Sequence, residues 1–94
     1  MRNTYLRVNA HTLQLSKTRN GGLTSFVGTF GVEDDTYDVA LGFVFADSTW
    51  MYVTSKGDET VNKEQGFSSK SDAKAALIST LESYAAVAGM TNGR

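Results

Sequence analysis

A chain of 94 residues, 40% hydrophobic, 20% charged and 11% aromatic, has room for one modest core and too little for two, and its composition is that of a folding domain. Having no cysteine excludes disulfides, thiolate nucleophiles and cysteine-ligated zinc, and having no proline excludes PxxP motifs and rigid proline linkers. The net charge of −1 excludes a uniformly basic surface, but it averages two unlike segments: residues 1–32 hold Arg2, Arg7, Lys17 and Arg19 with no acid, whereas in residues 33–64 Glu33, Asp34, Asp35, Asp38, Asp47, Asp58, Glu59 and Glu64 outnumber Lys56 and Lys63.

The opening Met1-Arg2-Asn3-Thr4-Tyr5 lacks an apolar signal region, and no apolar run approaches the roughly 18 residues of a membrane helix, so a cytoplasmic location and no membrane contact are expected. A first strand is predicted over about 4–9, with no clear partner. Strands over about 12–19 and 22–32 flank Asn20-Gly21, the preferred pair of a two-residue hairpin, because both positions take positive φ there. That turn sets Leu15 opposite Phe26 and Leu13 opposite Gly28, so Leu13, Leu15, Phe26 and Phe30 share a face; a three-residue loop, Asn20-Gly21-Gly22, turns both Phe side chains away.

The acidic Glu33-Asp34-Asp35-Thr36 is the next turn, and a bend at Asp34-Asp35 pairs Phe30 with Val39 and Phe26 with Phe43. The strand over about 36–46 alternates Tyr37, Val39, Leu41, Phe43 and Phe45 with smaller residues. After a turn at Asp47-Ser48, a strand over about 49–56 sets Trp50, Tyr52 and Thr54 opposite Phe45, Phe43 and Leu41. Residues 57–68 are polar and read as a long loop.

A helix is predicted over about 70–88, with Ser69 as N-cap, Asp72 three residues on, and Ala73, Leu77, Leu81, Tyr84 and Ala88 as its apolar stripe. Gly89 ends it, and residues 90–94 form a frayed tail. The fold expected is α+β: one domain, an antiparallel meander of about five strands with a C-terminal helix on its aromatic face. The other face then carries Val27, Val44, Met51 and Val53 among small and polar residues, a half-apolar surface suited to a protein partner or a second copy unless the sheet simply curls.

Chemistry for catalysis is sparse. His11 is the one histidine and has no cysteine to pair with, and the carboxylates around Glu33 lack the spacing of a calcium loop. No enzymatic activity, metal or cofactor is expected. Ser69-Lys70-Ser71-Asp72-Ala73-Lys74-Ala75-Ala76-Leu77 resembles the start of the last helix of double-stranded-RNA-binding domains, which implies phosphate contacts for Lys70 and Lys74; the sheet-then-helix order is similar to the arm-binding domains of phage integrases. Arg7, Lys17 and Arg19 extend that basic set.

The favoured expectation is a non-enzymatic protein-binding module acting through Val27, Val44, Met51 and Val53, the sheet edge, or the acidic Glu33, Asp34, Asp35, Asp58, Glu59 and Glu64; the alternative is a nucleic-acid-binding module using Arg7, Lys17, Arg19, Lys70 and Lys74. In kind, this small, cysteine-free, acidic chain resembles the inhibitors that phages encode against host defences, anti-CRISPR proteins among them, which implies surface occlusion of a host complex in the host cytoplasm.

Overall fold

Among the described residues six antiparallel strands run as one meander, each paired with its neighbours in the chain, and one helix follows them. The computed structural model describes residues 3–9, 11–20, 23–32 and 35–92. The strands are β1 (Asn3–Val8), β2 (His11–Asn20), β3 (Leu23–Val32), β4 (Asp35–Val44), β5 (Thr49–Lys56) and β6 (Glu59–Phe67), and the helix is α1 (Lys70–Asn92). The α+β class is as expected, with three corrections.

First, the segment read as a long loop is β6. Its hairpin turns at Gly57-Asp58, between the pair Lys56 and Glu59, and Gly57 takes φ +64°, the left-handed region where a glycine is favoured at the first turn position. β6 escapes a periodicity search because residues 59–66 are all exposed, leaving no apolar alternation. Second, α1 runs through Gly89 to Asn92, so the helix does not end at residue 88; a glycine inside a helix costs only about 1 kcal/mol, which adjacent helical turns offset. Of the expected frayed tail, residues 93–94 lie outside the described residues.

Third, all three predicted registers are displaced by two residues. β2 pairs Lys17 with Phe26 and closes at Asn20 opposite Leu23; β3 pairs Phe30 with Tyr37 and Phe26 with Leu41; β4 pairs Phe43 with Trp50 and Leu41 with Tyr52. A shift of two leaves every side chain on its expected face. Phe26, Leu41 and Tyr52 form one row across β3, β4 and β5, and Phe43 is two residues along on the same side. Phe45, expected in the strand, enters the turn at residues 45–48 and is exposed. The partner of β1 is β2, with Leu6 opposite Leu13.

The core lies between this face and α1: Leu6, Val8, Leu15, Phe26, Phe30, Val39, Leu41 and Tyr52 from the sheet meet Ala73, Leu77 and Leu81 from the helix. The Thr4 hydroxyl is buried on this face without a hydrogen-bond partner among the described residues, but the polar groups nearer β5 are paired. The hydroxyls of Tyr52 and Thr80 are 2.7 Å apart, those of Thr54 and Tyr84 are also 2.7 Å apart, and Asn62 Nδ2 donates to the Tyr84 oxygen at 2.8 Å. Burial pushes the Tyr52 phenol above its ordinary range, so it stays protonated beside Thr80. The Tyr84 ring also stacks on Tyr37, with centroids 4.7 Å apart.

One turn of α1 reaches both rims of the sheet. The Asn9 backbone N–H, just past β1, donates to Glu82 Oε2 at 3.4 Å, while Tyr84 accepts from Asn62 of β6. Six flat strands would span about 24 Å, twice the width of a helix, so the sheet must curl around α1 to bring its rims that close. β2 supplies the bend: residues 11–16 pair with β1, and residues 16–20 pair with β3.

The helix start follows the sequence signal. The Asp72 N–H donates to Ser69 Oγ at 3.1 Å, and the Asp72 carboxylate accepts from Ser68 Oγ at 3.2 Å. Ser69→Ala is expected to lower the unfolding free energy by about 1 kcal/mol, read as a lower urea midpoint with unchanged slope.

Candidate functional site

The helix covers one face of the sheet, and the other, convex face is bare. Its centre is the row Val27, Ala40 and Val53, in register across β3, β4 and β5. Met51 and Val44 lie on the same face toward the turn at residues 45–48, so the four predicted contact residues share one surface. Val27 is 41% exposed, and the others are half-buried. A depression of about 350 Å³ lies between these strands around the small side chain of Ala40, also lined by Gly28, Thr29, Asp38, Val39 and Ser55. Asp38 puts a carboxylate on the rim of a mostly apolar hollow.

The predicted acidic residues separate. Asp35, Asp58 and Glu59 gather at the end of the sheet that holds Asp38, near the Gly57 turn. Asp35 is paired with Lys56, Oδ1 to Nζ 2.8 Å; that hydrogen bond raises the lysine pKa, and since both groups are half-exposed to water the pair contributes little stability. Glu64 lies opposite Tyr52 in the middle of β6, on the helix side, apart from this group. Glu33 and Asp34 lie outside the described residues.

The predicted basic residues also divide. Lys17 is in register with Phe26, and Lys70 Nζ stands 4.0 Å from the Phe26 ring centroid, so two strands and the helix start converge there; Lys74 follows one helical turn later. Arg19 pairs with Thr24, and its side chain is outside those described. Arg7 is exposed on the convex face of β1, away from the others. Sequence reasoning placed Phe43 and Phe45 in the core and missed that they and Trp50 remain open to solvent at this end; the short four-residue turn starting at Phe45 was the missed signal.

Among the described residues no group of three or more His, Cys, Asp or Glu is arranged to hold a metal ion, and no helix is long and apolar enough to cross a membrane. His11 is in register with Val8 at the β1–β2 turn, and its side chain is outside those described. No protein-family model, curated protein or solved structure matches the chain.

Proposed function

We propose that the chain is a non-enzymatic protein-binding module whose convex sheet face receives an apolar projection of its partner. The observation that carries this reading is the hollow between Val27, Ala40 and Val53, which exposes apolar side chains beside the Asp38 carboxylate. With Asp35, Asp58 and Glu59 at the same end, the surface complements a partner whose apolar residue is ringed by lysine or arginine. Such basic rings are common where proteins bind nucleic acid, so occlusion of a nucleic-acid-binding host complex, in the manner of a small phage inhibitor, is the specific form the proposal takes.

Val27→Lys tests it, because the position is on the surface and the new cation opposes a basic partner. The variant is expected to keep the unfolding free energy from urea titration within about 0.5 kcal/mol of the parent, as surface changes do. Proteins that survive nuclease treatment in a host pull-down with the parent chain are expected to be lost with the variant. Equal recovery by both chains removes the face from consideration. A parent chain that sediments as a dimer, with a monomeric variant, assigns the face to self-association instead.

A further inference from the structure

The end of the helix-bearing face that lies beyond the start of α1 has a different chemistry. A lateral row there passes through Thr24, Phe43, Trp50 and Phe67, from β3 to β6, and α1 begins only at Lys70. Phe43 and Trp50 therefore stay half-exposed, and Phe45 in the adjoining turn is 55% exposed. The rings form a continuous shelf: the Phe43 centroid is 4.9 Å from that of Phe45, edge to face, and 5.3 Å from that of Trp50. Three aromatic rings left open together on a small domain mark a contact surface, since each retains apolar area that burial would stabilise.

Cations border the shelf. Phe26 is two residues from Thr24 on the same strand face, about 7 Å along β3. Lys17 is its register partner, Lys70 stands over its ring, and Lys74 lies on the same side of α1, four residues on. Among the described residues three carboxylates lie near this end: Asp47 accepts from Thr49 Oγ1 at 2.6 Å, Asp72 accepts from Ser68 and follows the helix cap, and Glu64 stands opposite Tyr52 at the β6 end of the row that holds Phe26. The acidic group formed by Asp35, Asp38, Asp58 and Glu59 is at the opposite end of the strands.

We propose that this aromatic and basic end binds single-stranded nucleic acid, with Phe43, Phe45 and Trp50 stacking on bases and Lys17, Lys70 and Lys74 meeting phosphates. Open rings beside cations suit an unpaired strand, which offers free base faces and a flexible charged backbone together. A duplex hides its base faces and offers only the charge. The proposal is independent of the partner surface above, which occupies the other face of the sheet.

Trp50 is the only tryptophan, so its fluorescence reports stacking directly. Titrating the full chain at low salt with a thymidine oligonucleotide of about 15 nucleotides, the length of a typical single-strand site, is expected to quench Trp50 saturably. The logarithm of affinity is expected to fall against that of salt with a slope near 2, from about 0.7 per phosphate contact. Phe45→Ala, which changes a solvent-facing ring, is expected to weaken binding about fivefold or more, the effect of losing one stacked base. Lys17→Gln combined with Lys74→Gln is expected to reduce the slope by about 1.4. Duplex of the same length is expected to bind more weakly, and inorganic polyphosphate to bind without quenching. Absence of saturable quenching, equal affinity for duplex, or full affinity in Phe45→Ala each overturns the proposal; the duplex comparison uses the unaltered protein and so stands even where a variant folds poorly.

Discussion

Leu77→Ala is expected to remove about 2–5 kcal/mol of stability, the range seen when a leucine is cut back inside a packed core. Leu77 is 0% exposed and sits at the middle of the helix stripe, between Ala73 and Leu81 and against the Leu41 and Tyr52 face of the sheet. Nothing else takes up the load, because the chain has no disulfide and its helix has one apolar stripe with which to grip the sheet. Small domains hold about 5–15 kcal/mol in total, so the substitution takes a large share of it. For a domain of this size each 1 kcal/mol moves the thermal midpoint by roughly 4–8 °C, and a fall of at least about 10 °C by circular dichroism is the expected reading. A fall of only a degree or two would mean that α1 is not the main closure of the core.

Gly28→Ala is expected to cost about 1–3 kcal/mol although it adds a single methyl group. A Cβ at residue 28 would come within 2.7 Å of the Gln14 carbonyl oxygen and 2.8 Å of Leu15 Cδ2. The leucine methyl has some freedom, but the carbonyl belongs to β2 at its bend, where pairing passes from β1 to β3, so relief requires the strand to move. Amide exchange should quicken in β1 and the first half of β2 ahead of β4 and β5. Gly31→Ala is the control: the nearest atom to its added Cβ is the Asp35 carbonyl oxygen at 4.0 Å, and the expected change is close to zero. Similar losses at both positions would locate the effect in strand propensity and not in the close approach of β2.

The faces of the strands were legible in the sequence, and their pairings were not. Tyr37, Val39, Leu41 and Phe43 announce one side of β4 by alternation alone, but alternation is unchanged by a slip of two residues, and only the position of the turn separates the candidates. In β2 and β3 Asn20 is used in the last pair, opposite Leu23, a choice that the preferred Asn-Gly dipeptide conceals. β6 was illegible for the opposite reason, since a strand exposed from Glu59 to Gly66 has no apolar side to display. The Gly57-Asp58 pair was the available sign. The convex patch survived the register errors, because membership of a face needs parity only. The grouping of Lys17 with Lys70 did not follow from the sequence, since it depends on β2 register and on where α1 crosses the sheet.

The reach of residues 82–84 to both rims also bears on solubility. A six-stranded ribbon left open would offer two long rows of unpaired amides to other chains, the usual route to fibrils. Here the helix latches each rim inward, through Asn9 on one side and Asn62 on the other, and β6 adds two irregularities in its pairing together with Lys63 and Glu64. The turn of α1 at residues 82–84 thus acts as a guard against runaway strand addition, so loss of the chain beyond Leu81 would turn a monomer-sized fold into a template for aggregation.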